Sequence, residues 1–212
     1  MPDGRGAGSH LEEALRRQGY LRVAGTDEVG RGPLAGPVVA CAVVLPDGCT
    51  IDGVIDSKLL SDEQRRGVLP AIFKCALAYG VGSVDAGEID RINILQASFE
   101  AMRLALAHIE CDALIVDGRH AIPRLDLFQL AQPKADRDSI SVAAASIVAK
   151  VTRDDIMLDF ERLYPGYGFA LHKGYATPQH FGALDRLGPC PIHRKSFLHK
   201  WRERKLQGVL GL

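Results

Sequence analysis

The chain of 212 residues contains no pair of cysteines spaced as C-x-x-C; its five, Cys41, Cys49, Cys75, Cys111 and Cys190, are scattered and sit mostly among apolar neighbours. This argues against a zinc site or a disulfide framework and reads as small buried hydrophobes in a reducing compartment. Long hydrophobic runs are missing as well. The longest, Val38 to Leu45, has eight residues, far short of the ~18 of a membrane span. The N-terminal MPDGRGAGSH is polar and glycine-rich, without the basic-then-apolar layout of a secretory signal, so a cytoplasmic location is expected. Nor is there an excess of one charge: 26 basic residues balance 26 acidic ones, and a nucleic-acid partner does not follow from the total. Locally the balance tips, with six Lys or Arg against one Glu between Arg194 and Lys205, and Phe197 and Trp201 interleaved. That stretch fits a cationic surface for nucleic acid and a solvated helix face equally well.

What is present is a globular composition, 47% hydrophobic and 25% charged, with no internal repeat or low-complexity linker. One domain with short additions is expected: a tail and short helix over 1–19, a main domain over 20–205, and a tail over 206–212. Residues 1–8 read as a disordered tail, and Ser9 to Glu12 has the spacing of a capping box opening a helix. Strands are expected at 21–27, 37–46, 77–84, 113–116 and 127–131. A helix should follow the capping box Ser61 to Gln64 and kink or restart at Pro70. Asn93 should cap another, with Leu95, Phe99, Met102, Leu106 and Ile109 along one stripe. A long alanine-rich helix is expected from Ser139 to about Phe160, close to the sheet through Ala143, Ala144 and Ala145. The fold class is therefore α/β, a mixed five-stranded sheet flanked by helices, with helical and loop structure over 161–205 beside it as a small C-terminal extension.

Acidic residues at the ends of apolar strands carry the chemical signal. Asp27 and Glu28 follow Val23-Ala-Gly-Thr, Asp117 follows Leu-Ile-Val, and Asp136 lies between the fifth strand and the alanine-rich helix. Each alone reads as a helix cap or a surface ion pair. Together, two such charges ~4 Å apart repel by about 4 kcal/mol at an effective dielectric of 20, so a cluster must be protonated or neutralised by cations. Oxygen donors without His or Cys favour Mg²⁺ or Mn²⁺ over zinc. Adjacent strand residues face opposite ways, so for Asp27 and Glu28 to share a site the strand should end or twist there. Gly30 and Gly32 permit a sharp departure and close approach to a phosphate, and Arg31 can add a charge-assisted contact.

The run Gly25 to Val38, GTDEVGRGPLAGPV, resembles the signature of bacterial ribonuclease HII, the type 2 ribonuclease H. Further matches follow in order: Asp56-Ser-Lys58, Asn93 to Ala97, Ile115 to Gly118, Lys134-Ala-Asp136, Ala143 to Asp154, Tyr164 to Gly168, His172 to Tyr175 and Gly188 to Phe197, covering roughly residues 20–198. Ribonuclease HIII usually has G-T-G where this chain has Gly30-Arg-Gly32 and carries an extra N-terminal domain. The resemblance implies a ribonuclease H-like fold and an endoribonuclease that hydrolyses RNA in RNA/DNA hybrids and nicks 5′ to ribonucleotides embedded in duplex DNA. It implies Asp27, Glu28, Asp117 and Asp136 as catalytic acids and ligands of two Mg²⁺ or Mn²⁺ ions; a monomer without membrane association is expected. It also places Gly30, Arg31 and Gly32 at the ribose 2′-hydroxyl and neighbouring phosphate, and Tyr175 on the sugar beyond the ribonucleotide. Lys58, Lys150 and Arg153 are candidates for phosphate contacts or scaffolding, against surface pairing. His172 and His193 are given no catalytic role. Leu59 stands where the family commonly has a second lysine, and Gly67 and Pro70 interrupt the helix that follows.

The last six residues, Gln207 to Leu212, resemble the Gln-x-x-Leu-x-Leu peptide with which bacterial proteins dock on the DNA sliding clamp, although an apolar end can equally pack on its own domain. Two other functions stay open at this point, a nuclease of the same superfamily acting on DNA junctions and a non-catalytic nucleic-acid or clamp adaptor.

Overall fold

The structure, a computed structural model, describes residues 7–199 and 201–203. Five strands, β1 (Val23–Val29), β2 (Val38–Val44), β3 (Ala78–Val84), β4 (Ala113–Asp117) and β5 (Phe128–Gln132), form one sheet in the order β3-β2-β1-β4-β5. β3, β2 and β1 are antiparallel neighbours, while β1, β4 and β5 run parallel. The helices are α1 (His10–Arg17), α2 (Asp62–Cys75), α3 (Ala86–Ile92), α4 (Ile94–Leu106), α5 (Ile140–Leu163), α6 (Phe169–His172) and α7 (Pro178–Leu187). All five expected strands form, and among the described residues no helix is long and apolar enough to cross a membrane.

Every residue of β2 is buried because both sheet faces are covered. Ala40, Ala42 and Val44 pack with α4, whereas Val39, Cys41 and Val43 pack with α5. α5 lies close against β1, and Gly25 makes this possible: a Cβ there would stand 2.4 Å from the Val142 nitrogen. Ser139 caps α5 by accepting the Val142 N–H, and Asn93 caps α4 through the N–H groups of Leu95 and Gln96.

Three local expectations are corrected. The capping box at Ser9 does not form; Ser9 donates to Glu13, and Glu12 turns inward to accept from the Ser139 hydroxyl at 2.6 Å and the Ser141 N–H at 2.9 Å. A carboxylate at the N-terminus of the 24-residue α5 is favoured by that helix's dipole, which outweighs the local capping pattern. α2 does not restart at Pro70 but continues through it to Cys75; Pro70 is exposed, so water can solvate the carbonyl that its missing N–H leaves free. Residues 7 and 8 are not a loose tail: Ala7 N–H donates to Val54 and Gly8 N–H to Arg137. The short helix α3, opened by Asp85 accepting the Glu88 N–H, was not expected from the sequence.

Candidate active site

Asp27 and Asp117 are set by strand register. The parallel pairing of β1 with β4 ends at Thr26 opposite Val116, so each carboxylate is the first residue past the last pair, and a notch opens between the strands. β1 does not end there as expected. It continues to Val29 against β2, so Asp27 and Glu28 keep the alternation of a strand and point to opposite faces. Asp27 faces α5, near Ser146, and Glu28 faces α4, among Leu95, Ser98 and Phe99. Asp117 borders the space on both sides and joins them. The cleft on the Asp27 side, about 300 Å³, is lined by Asp27, Glu28, Gly30, Lys58, Lys150 and Tyr175 together with Asp117. Asp136 is buried and is not part of that lining. Asp117 ties it in, accepting the N–H of Ala135 at 3.0 Å.

Three of the four acids feel the charge of the fourth, Asp117. Burial pushes Asp27 well above the usual carboxylate range, and the charges of Glu28 and Asp117 push it further. Burial also raises Glu28, against the pull of Arg31, whose guanidinium donates to it at 3.0 Å. Asp136 is raised by burial, then by Asp56 and Asp117. Asp117 therefore acts on all three others. Among the described residues, no three His, Cys, Asp or Glu side chains close tightly enough to enclose a metal ion. The donor set still fits a hard divalent cation: oxygen atoms only, partly desolvated, with like charges that a cation would relieve.

The glycine-rich loop after β1 is held from behind by two fully buried arginines. Arg153 donates to the carbonyls of Pro37 (2.9 Å), Ala35 (3.2 Å) and Lys173 (3.0 Å). Arg194 donates to those of Gly36 (3.0 Å), Arg31 (3.0 Å) and Gly30 (2.6 Å). Arg153 is thus scaffolding and not a phosphate contact, and Arg194 is no part of a cationic surface. Burial lowers both guanidiniums from their ordinary values, and for Arg194 the neighbouring Arg153 adds to it. Gly30 has φ +97° and a Cβ there would meet Arg153 Nε at 2.2 Å, so its freedom is used, whereas Gly32 is exposed with open space around it. Tyr175, 43% exposed, lies over Arg153 with its ring centre 5.8 Å from the guanidinium carbon. Lys150 reaches the cleft while pairing with Asp154 at 2.7 Å, and Lys58 borders it from the 3-10 turn Ser57–Leu59, capped by Asp56.

Sequence reasoning missed several members. Ser57 and Ser146 share a hydrogen bond of 2.9 Å beside Asp27, Arg65 lines the cleft and donates to the carbonyls of Ser57 and Leu60, and Asp56 adds a carboxylate near Asp136. Asp56, Ser57 and Ser146 fall in the matched segments Asp56-Ser-Lys58 and Ala143 to Asp154, which gave them no role, and Arg65 falls in none. Arg194 was hidden in a basic stretch whose pattern says nothing about burial.

The family model described as ribonuclease HII matches residues 24–200. The chain is 54% identical over 189 residues to the ribonuclease HII of Geotalea uraniireducens, covering 88% of this chain and 87% of that one. It is 53% identical over 192 residues to that of Geobacter sulfurreducens, covering 88% and 87%. Among solved structures it is similar to the ribonuclease H2 of Pyrococcus horikoshii, with TM-score 0.69, 29% identity and coverage of 86% and 98%. It is also similar to the ribonuclease HII in a PCNA:RNase HII complex from Archaeoglobus fulgidus (TM-score 0.71, 26% identity, 85% and 96%). A third is Bst-RNase HIII in complex with Mn²⁺ (TM-score 0.61, 25% identity, 82% and 65%). Matched in order along most of its length and more than half identical to such relatives, the chain belongs to the ribonuclease HII family of type 2 ribonuclease H endonucleases.

Proposed function

We propose that this chain cleaves the RNA strand of RNA/DNA hybrids and nicks duplex DNA 5′ to an embedded ribonucleotide. The observation that carries this reading is the notch past Thr26 and Val116, where Asp27, Glu28 and Asp117 border one cleft and Asp136 adjoins through Asp117. These four residues would hold two Mg²⁺ or Mn²⁺ ions, in keeping with the Mn²⁺ bound to the HIII relative. When bound, such a pair supplies activation of a water for in-line attack on phosphorus and stabilisation of the departing 3′ oxygen, giving 3′-hydroxyl and 5′-phosphate ends. The chain's own residues do the rest. Arg153 and Arg194 turn the loop carbonyls inward, and Gly30 to Gly32 meet the 2′-hydroxyl that separates RNA from DNA. Tyr175 packs on the next sugar, and Lys58 and Lys150 meet phosphates at the cleft wall.

The test is a duplex DNA bearing one ribonucleotide, incubated with Mg²⁺ or Mn²⁺ and with chelator. One cut 5′ to the ribonucleotide, absent in chelator, is expected. Cleavage of all-DNA duplex at equal rate would overturn the reading in favour of a DNA nuclease, and binding of hybrid without cleavage in favour of an adaptor.

The clamp motif Gln207–Leu212 lies outside the described residues, and docking on a sliding clamp through it is a second proposal, supported by the Archaeoglobus complex. Deleting 207–212 should abolish retention on immobilised bacterial clamp; unchanged retention would dispose of it.

A further inference from the structure

Three histidines that the chemistry above does not use, His172, His180 and His193, are buried together beneath Tyr175 around Phe169. Their partners fix where each proton sits. The Tyr175 carbonyl can only accept, so His180, 2.9 Å away through Nδ1, carries its proton there. The Cys190 N–H can only donate, and it points at His193 Nδ1 from 2.9 Å, so that nitrogen accepts and the proton of His193 is on Nε2. The Cys190 carbonyl, 3.2 Å from the same nitrogen, already accepts the His193 backbone N–H at 3.0 Å. The two Nε2 atoms face each other at 3.0 Å, and the assignments made independently at the two ends leave one donor and one acceptor there. His172 follows the same rule: Nδ1 accepts from the Gly174 N–H and Nε2 donates to the Tyr167 carbonyl.

This chain of bonds spans the two parts of the proposed recognition surface. His193 is paired with Ala35 across an isolated bridge, and the next residue, Arg194, grips the carbonyls of Gly30, Arg31 and Gly36. At the far end the Tyr175 carbonyl also accepts from Thr177 N–H, and the Tyr175 N–H donates to the His172 backbone carbonyl. We infer that His193 and His180 form a one-directional hydrogen-bond relay that positions Tyr175 against the glycine-rich loop. They are positioning residues, acting through Tyr175. A further proton has no place on either ring, because each remaining lone pair already faces a donor, and burial accordingly lowers both imidazoles to about 4. His172 stacks in parallel on the His180 ring, 4.4 Å between ring centres.

Long-range ¹H–¹⁵N correlation spectra of the full chain at neutral pH read the tautomers directly. The relay requires Nδ1–H on His180 and Nε2–H on His193, and the opposite tautomer on either, or an imidazolium, overturns it. The functional part rests on the proposed contact of Tyr175 with substrate, and a double-mutant cycle separates the two. His193→Phe keeps a ring but loses the donor, and should raise KM for a ribonucleotide-containing duplex about tenfold with kcat within about threefold, while His193→Gln, which retains an amide N–H at the Nε2 position, recovers most of the loss. In a Tyr175→Ala background the same substitution should add less than about twofold. Full additivity, or a His193→Phe enzyme with wild-type KM, refutes the relay. A wild-type KM for Tyr175→Ala itself refutes the substrate contact and leaves the tautomer result standing. If His193→Phe fails to fold, His180→Asn, which keeps a donor near Nδ1 and loses the Nε2 acceptor, replaces it with the same expected KM shift.

Discussion

At the scale of single residues, Asp27 is the group most opposed by its surroundings. Its raised pKa means that the folded chain holds this proton where the unfolded chain has released it, so stability falls as pH rises through that window, and the cost is complete above the folded value. Asp27→Asn should therefore melt roughly 3–6 °C above wild type in chelator at pH 8, with the gap narrowing toward acid, while losing activity. An unchanged or lower melting temperature in differential scanning calorimetry would contradict this burial argument. The loop glycines should separate in a similar way. Gly30→Ala places a Cβ on Arg153 at positive φ and should cost roughly 2–4 kcal/mol in denaturant unfolding, whereas Gly32→Ala meets nothing and should leave stability within about 0.5 kcal/mol. Any loss of cleavage by Gly32→Ala then reports on substrate contact alone. Both the carboxylates and the glycines were visible in the sequence, because an acid after a buried apolar strand and a glycine pair after that acid are locally anomalous. Arg153 was legible only as a phosphate contact or scaffolding and Arg194 only as part of a basic stretch, since all but one of the carbonyls they bond lie more than a hundred residues away.

At the scale of elements, β1, β4 and α5 build the site, and α5 depends on a residue from outside it. Glu12 receives the Ser139 hydroxyl and the Ser141 N–H in a buried setting. Glu12→Ala should destabilise the protein by roughly 1–3 kcal/mol, with hydrogen exchange accelerated first in the opening turn of α5. Protection there equal to wild type would show that the cap contributes nothing. The strands and the long helix were legible because their apolar runs are short, bounded and well separated. What could not be read was the competition at Ser9 to Glu12, where a local capping pattern lost to a helix end 127 residues on. The geometry of Asp27 and Glu28 was also misjudged. The alternation that seemed to forbid a shared site is kept, and the site straddles the sheet edge because β4 stops pairing with β1 just before Asp117.

For the molecule as a whole, folding sets four carboxylates at one sheet edge with a rim of basic residues, in a chain whose net charge is zero. Composition concealed this separation of charge, and only the order of motifs along the chain pointed to it. The account stands on the claim that these acids act together on divalent cations through Asp117, whose charge acts on all three others. Isothermal titration of Mn²⁺ into the wild-type chain and into Asp117→Asn tests it most directly. The account predicts binding to wild type that weakens at least about tenfold in the variant, whose melting temperature in chelator is no lower than that of wild type. Equal Mn²⁺ affinity in the two proteins would contradict it.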